Sequence, residues 1–221
     1  MHPEPETPIL MAEGLSFSHP GQSAPPLFDQ LSLVLAPGVT WVCGDEGAGK
    51  TTLLQLLAGK LPSTGQLRIQ GVRLTQEREA YQRQVAWFDP RDTALDQQTA
   101  RQIFAGLPQR HPGCDLDALQ AHIDGLSLAP HLDKALFMLS TGSRRKVFLA
   151  AALAARAPVT LLDQPFMALD RPSIDYLLAV LAEAARQPGR AWVVADYEAP
   201  GQVALAAVVK LGEPGPISVP N

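Results

Sequence analysis

The chain has 221 residues, which is enough for one α/β domain with a substantial core. Hydrophobic residues make up 46% of the chain, so its composition excludes a protein that is disordered throughout. The formal net charge of −4 provides no basic footprint, and we expect no nucleic-acid partner. Two cysteines, Cys43 and Cys114, are too few for a disulfide framework and favour a reduced, cytoplasmic protein.

The first fifty residues predict a short tail followed by strands. Residues 1–8 are acidic and rich in proline, which predicts a flexible tail without the build of a signal peptide. Residues 9–18 alternate apolar and polar side chains and predict a strand, and residues 31–35 alternate before a Pro-Gly stop, as is typical of a hairpin. Residues 39–43 are nearly all apolar and predict a buried central strand, and residues 50–61 predict a helix.

The rest of the chain alternates between predicted strands and helices. Residues 91–140 have helical patterns broken by prolines, and they predict a helical subdomain inserted into one domain over residues 9–221. Such alternation predicts a parallel sheet, whose ligands bind at the carboxyl ends of the strands. We expect strands at residues 66–69, 84–88, 159–163, 191–195 and 208–211, and helices at residues 143–156 and 173–186.

A glycine-rich loop between a predicted strand and a predicted helix points to a bound triphosphate. It matches the pattern G-x-x-x-x-G-K-[ST] in that context. Glycines allow backbone N–H groups to approach phosphates, Lys50 supplies positive charge, and the Thr51 hydroxyl is placed for Mg²⁺. The loop residues are Gly44, Asp45, Glu46, Gly47, Ala48, Gly49, Lys50 and Thr51, with Thr52 following.

Two later segments carry candidate chemistry. Asp163 ends a predicted buried strand, where a carboxylate either reaches the shell of a Mg²⁺ ion or only caps the next turn. Residues 139–146 place small side chains before a helix. The backbone amides at the start of that helix either hold an anion or donate to Ser140 as an ordinary N-cap. The residues alone leave both alternatives open.

Taken in order, these segments resemble the ATP-binding-cassette (ABC) ATPases over residues 9–212. That family has an L-S-G-G-Q signature, matched here by LSTGS from Leu139, and a D-E-P-x-x-x-L-D segment, matched here by residues 163–170. The resemblance implies an α/β P-loop NTPase of ABC type. Its core sheet would be mostly parallel, with an N-terminal antiparallel β portion and the inserted helical subdomain.

The resemblance also implies the ligands and their residues. ATP and Mg²⁺ would be the cofactors, with Lys50 and the loop amides on the phosphates and with Thr51 and Asp163 on the metal. Active sites of the family form between two subunits head to tail, and the residues that would reach the partner's ATP are Ser140, Thr141, Gly142, Ser143 and Asp170. His19 falls near the adenine-stacking position, although an exposed turn histidine is an equal alternative.

The catalytic positions depart from the family pattern. Gln164 stands where the family has its general-base Glu, and a carboxamide orients water without accepting its proton. Asp196 stands at the switch-His position and, when ionised, repels a γ-phosphate. The Mg²⁺-ligating Gln falls at Asp89 or Pro90, and Asp89 is a further candidate for the metal. We therefore expect ATP binding with slow hydrolysis.

The resemblance implies the ATP-binding subunit of a membrane transporter. It would lie at the cytoplasmic, inner face of the membrane through a transmembrane subunit that docks near residues 89–98. It would pair with a second ABC ATPase subunit as a homodimer or a heterodimer. A non-transport regulatory or assembly protein that uses ATP as a dimerisation switch is the alternative. A P-loop small-molecule kinase would leave residues 139–170 unexplained.

Overall fold

The computed structural model describes residues 7–21, 25–89 and 91–212. Most of the predicted tail over residues 1–8, and also Pro90, lie outside the described residues. Among the described residues, we find no helix with the length and apolar character needed to cross a membrane.

An antiparallel sheet forms the N-terminal β portion, as predicted. Strand β1 pairs antiparallel with both β2 and β4, because its alternate residues bury one apolar face. The short strand β5 extends the edge and was not expected from the sequence. The order is β2-β1-β4-β5, with β1 at Leu10–Phe17, β2 at Phe28–Leu35, β4 at Thr64–Ile69 and β5 at Val72–Arg73.

A second, five-stranded sheet is the core of the molecule, and all of its described pairings are parallel. This confirms the predicted mostly parallel core. Strand β3 lies inside the sheet, between β8 and β9, which explains its nearly continuous apolar sequence. The order is β6-β7-β8-β3-β9, with β6 at Val85–Ala86, β7 at Val159–Asp163, β8 at Ala191–Ala195, β3 at Gly38–Cys43 and β9 at Leu205–Lys210.

Seven α-helices connect the described strands. Two 3₁₀ turns, Ala129–His131 and Leu136–Met138, precede α6. Helix α1 ends at Leu57 rather than Leu61 because Gly59, at φ 65°, closes it: the N–H of Gly59 donates to the carbonyl of Leu56, and that of Lys60 to Gln55. The helices are α1 (Lys50–Leu57), α2 (Arg78–Arg83), α3 (Ala100–Ala105), α4 (Leu107–Arg110), α5 (Leu116–Gly125), α6 (Thr141–Ala154) and α7 (Arg171–Ala184).

Two apolar clusters cover the two faces of the parallel sheet. Successive residues of β8 alternate between them, since Val193 belongs to one cluster and Val194 to the other. The first cluster packs the antiparallel sheet and α1 against the parallel sheet. The second packs α3, α5, α6 and α7 against the opposite face. The helices of residues 91–140 therefore pack against α6. The first turns of α6 lie near the end of β7, since Arg145 donates to the Asp163 carbonyl at 3.1 Å.

Candidate nucleotide-binding site

The phosphate loop joins the carboxyl end of β3 to the start of α1. Gly47 and Gly49 have φ angles of 78° and 93°, a left-handed conformation that side chains disfavour. A Cβ at Gly49 would also lie 3.0 Å from the ring of Phe28. The first-turn amides of α1 have no intrahelical acceptor, so they and the helix dipole are available to an anion in the loop.

Lys50 folds back over this loop. Its ammonium donates hydrogen bonds to the carbonyl oxygens of Gly44 and, at 2.9 Å, of Asp45, and the residue is only 6% exposed. The ring of Tyr197 lies 4.7 Å from the Lys50 Nζ, an arrangement that favours the cation. The Lys50 ammonium is thus held within the loop. There it can exchange its hydrogen bonds to carbonyl oxygens for hydrogen bonds to phosphate oxygens.

Thr51 and Asp163, which the resemblance assigns to the metal, lie in contact with each other. The Thr51 hydroxyl donates to Asp163 Oδ2 at 2.8 Å, although the residues are 112 positions apart. The side chain of Asp163 is 8% exposed, and its Oδ1 is buried with no hydrogen-bond partner among the described residues. Hydroxyl and carboxylate oxygens suit Mg²⁺, which takes its remaining ligands from water and substrate phosphates. The pair therefore fits the metal, and the orphaned Oδ1 leaves an acceptor for its shell.

Arg91 is a site residue that the sequence did not reveal. Its Nη2 lies 3.1 Å from Asp163 Oδ2, and its Nε lies 3.1 Å from Asp89 Oδ1. One guanidinium therefore connects the two carboxylates that the sequence assigned to the metal. Asp89 is therefore linked to Asp163 by the guanidinium of Arg91.

Gln164 and Asp196 follow the adjacent strands β7 and β8 at the same edge of the sheet. The backbone N–H of Gln164 donates to Ala195 O at 2.8 Å, and the Gln164 carbonyl accepts from the guanidinium of Arg145 at 2.8 Å. Burial raises the pKa of the Asp196 carboxyl, and the nearby charge of Asp163 acts in the same direction. Both altered residues thus lie beside the loop.

The signature residues lie at the start of α6. Ser140 is the N-cap of that helix and accepts from the Ser143 N–H at 3.1 Å, so the N-cap alternative is confirmed. Thr141 is exposed, and Gly142 packs against the backbone of Ala168. The role of these residues at a partner's ATP stays a prediction.

Asp170 is engaged within its own chain. It accepts from the Lys146 ammonium at 2.6 Å and caps α7 through the Ser173 N–H at 3.0 Å. These hydrogen bonds lower the pKa of the Asp170 carboxyl to about 2. Its position at a dimer seam also stays a prediction.

His19 is exposed, and its ring meets the edge of Phe17 with 5.1 Å between ring centroids. An exposed imidazole at this place suits both alternatives, stacking on a base and an ordinary turn residue.

Comparison with known proteins places the chain in a family. The family model described as "ABC transporter" matches residues 28–167. The chain belongs to the ABC transporter ATP-binding family. It is 34% identical over 183 residues to the cytochrome c biogenesis ATP-binding export protein CcmA of Pseudomonas syringae, with 81% of this chain and 84% of that protein covered. It is 32% identical over 212 residues to the taurine import ATP-binding protein TauB of Chromobacterium violaceum, covering 94% of this chain and 79% of that protein.

Solved structures agree on the fold. A structure described as the ATP-binding subunit of an ABC transporter matches with a TM-score of 0.80 and 22% identity, covering 92% of this chain and 85% of that one. A dimeric ATP-binding cassette bound to ADP and phosphate matches with a TM-score of 0.72 and 19% identity, covering 91% of this chain and 94% of that one. The predicted ABC-type fold is therefore confirmed. Family membership confirms the predicted function in its general form, a nucleotide-binding subunit of an ABC transporter.

Proposed function

We propose that this chain binds MgATP in its phosphate loop and couples that binding, with weak hydrolysis, to a separate transmembrane subunit. The observation that carries the proposal is the Thr51–Asp163 hydrogen bond of 2.8 Å beside the buried Lys50. These three side chains meet the phosphate and metal requirements of a triphosphate site. They come from motifs far apart in the chain, so their meeting is not a local accident of the loop.

Weak hydrolysis follows from the residues at the catalytic positions. The carboxamide of Gln164 orients a water molecule but accepts no proton, and loss of a general base costs on the order of 10²- to 10⁴-fold in rate. Asp196 adds a carboxylate where the family places a hydrogen-bond donor. Both changes leave the groups that hold ATP intact, so binding and turnover are separated in this site.

A cleft between the parallel sheet and the helices of residues 91–140 supports docking of a transmembrane subunit. Its volume is about 820 Å³, and its walls come from α1, α2, β6, α4 and α6. Aromatic residues and charges of both signs line it, which suits an amphipathic helix from the partner. Representative lining residues are Lys60, Trp87, Phe88, Asp89, Arg110 and Phe148. Docking there would give residues 91–140 the role of contacting the membrane subunit at the inner face of the membrane.

A second ABC ATPase subunit completes the proposed unit. In a head-to-tail dimer, the N-terminus of α6 presents Ser140 to Ser143 to the γ-phosphate of the partner's ATP, with Asp170 at the seam. In a homodimer both sites carry Gln164 and turnover is very slow. In a heterodimer this chain's own site is the slow one, while its signature residues complete an active site on the partner.

Nucleotide binding is tested by the Lys50→Ala variant. Loss of charge-assisted hydrogen bonds of about 1.5–3 kcal/mol predicts at least a ~10-fold weaker affinity for a fluorescent ATP analogue with Mg²⁺. Lys134→Ala removes an exposed lysine elsewhere in the chain and should bind as the wild type does. Equal affinity of Lys50→Ala and wild type would contradict the proposal.

A regulatory or assembly protein that dimerises on ATP is the second candidate. The observation that favours it is the pairing of a complete binding loop with Gln164 and Asp196, because a switch requires binding and tolerates slow turnover. Affinity purification from membranes separates the two. Co-purification with a multi-span membrane protein supports transport, whereas a soluble partner alone supports the switch.

A further inference from the structure

Arg91 places a cation on the Asp163 carboxylate, the group that the sequence assigns to the metal. The Asp163 Oδ2 atom accepts from the Thr51 hydroxyl at 2.8 Å and from Arg91 Nη2 at 3.1 Å. The Thr51 hydroxyl and the Asp163 carboxylate are the two protein groups that fit Mg²⁺, and Arg91 already neutralises the carboxylate. The guanidinium also holds Asp89 at 3.1 Å, so it balances two carboxylates at once.

Two other cations lie close to this cluster, but each is committed elsewhere. The Lys50 ammonium donates to carbonyl oxygens of the phosphate loop, and Arg145 donates to the backbone carbonyls of Asp163 and Gln164. Within the described part of the chain, Arg91 is the basic side chain that hydrogen-bonds the Asp163 carboxylate.

The ion pair between Arg91 and Asp163 joins one exposed side chain to one buried side chain. The side chain of Asp163 is 8% exposed, whereas that of Arg91 is 59% exposed and reaches in from solvent. Water screens the exposed guanidinium and can replace its hydrogen bond to Asp163, so a divalent ion bound to ATP can displace it. The buried carboxylate stays in place while the arginine leaves.

We propose that Arg91 is a resident counter-cation of the Asp163 carboxylate, which competes with Mg²⁺ and must be released when MgATP binds. The inference rests on the proposed nucleotide function and adds a residue that sets its metal dependence. Arg91 and Asp89 also line the cleft proposed for the membrane subunit. Release of Arg91 from Asp163 therefore changes the charge presented to that cleft each time the metal enters.

The test is a Mg²⁺ titration of nucleotide affinity, with a fluorescent, non-hydrolysable ATP analogue as the probe. Removing the competitor in Arg91→Gln should lower the Mg²⁺ concentration that gives half of the affinity gain by about 3- to 5-fold, because the guanidinium that competes for Asp163 is screened by solvent. Arg91→Lys keeps the charge and should stay close to the wild type. Arg101→Gln breaks an exposed pair with Asp133 instead and should leave the half-point unchanged.

An unchanged half-point in Arg91→Gln would overturn the inference, and so would a higher one, since that would make Arg91 a helper of the metal. Failure of wild-type protein to bind the analogue at any Mg²⁺ concentration would instead contradict the proposed function. Binding that is intact but indifferent to Arg91 would leave the proposed function standing.

Discussion

Asp196 stands where the resemblance to the family places a histidine, at the edge of the proposed phosphate site. It follows β8 beside the loop, and its own carboxylate accepts the Tyr197 N–H at 2.8 Å. Burial raises its pKa from the ordinary 3.8, which means that the ionised form is penalised in the folded protein. A histidine at this position would donate to a γ-phosphate, whereas an ionised aspartate repels it.

The Asp196→Asn variant should be more stable than the wild type at pH 7. Because the folded-state pKa is raised, the penalty is absent below the ordinary pKa of 3.8 and appears in full as the pH rises through the folded-state pKa. Asparagine has no such penalty and keeps an oxygen for the Tyr197 N–H. Urea unfolding should therefore show a gain in unfolding free energy at pH 7 that shrinks as the pH falls toward 4.

A gain that does not depend on pH would place its origin in packing rather than in the carboxylate. A loss of stability at pH 7 would show that ionised Asp196 is favourably paired, contrary to the account. Urea titrations of the wild type and the variant at matched pH values separate these outcomes.

Among the elements, the packing at the start of α6 explains why the LSTGS segment has a glycine at Gly142. A Cβ at Gly142 would overlap the carbonyl oxygen of Ala168, in the turn that leads to α7. Ala168 itself has φ 59°, so this turn has little freedom to move away. The glycine is thus required by close backbone packing, whatever it contributes at a partner's phosphate.

We predict that Gly142→Ala destabilises the protein by about 1–3 kcal/mol, the usual cost of inserting a methyl group into a packed contact. Gly106→Ala is the matched control, because its Cβ would have no neighbour closer than 3.4 Å and its φ of −82° suits alanine. Thermal unfolding of both variants measures the difference. Equal melting temperatures would show that the α6 turn yields without cost.

Several elements were predictable because burial dominates their sequence. Strands β7 and β8 match the predicted residues 159–163 and 191–195, since short apolar runs that contain β-branched residues and are bounded by turn residues are typical of buried strands. Helix α2 was not predicted because Tyr81 is its one buried side chain and no apolar stripe marks it. Strand β5 has two residues, too few for any period.

The sequence likewise predicted some residues of the candidate site and missed others. The phosphate loop and Asp163 were expected at one edge because each follows a recognisable strand of a parallel sheet, and Thr51 opens the helix after that loop. Arg91 was not predicted, since an ion pair across 72 positions leaves no local pattern. The contact between Tyr197 and the Lys50 ammonium was missed for the same reason, although an aromatic residue directly after Asp196 is the signal that a search of strand ends finds.

At the scale of the molecule, the parallel sheet brings the nucleotide site and the partner cleft within reach of one segment. Arg91 contacts both Asp89 and Asp163, and Asp89 and Arg91 also line the cleft, so the proposed metal site and the proposed docking cleft share these residues. In the proposed function, the groups that would hold ATP are complete and the groups that would hydrolyse it are altered. Such a subunit would respond to the presence of ATP more than to its cleavage.

The fate of bound nucleotide tests this claim most directly. The purified chain is loaded with radiolabelled ATP and Mg²⁺, freed of excess nucleotide, and its bound nucleotide is identified after several minutes. We predict that it remains mainly ATP in the wild type and converts faster to ADP in Gln164→Glu. Bound nucleotide that is mainly ADP in the wild type at the same time point would contradict slow hydrolysis, since an enzyme of ordinary turnover, about 1 s⁻¹ or faster, completes one round within seconds.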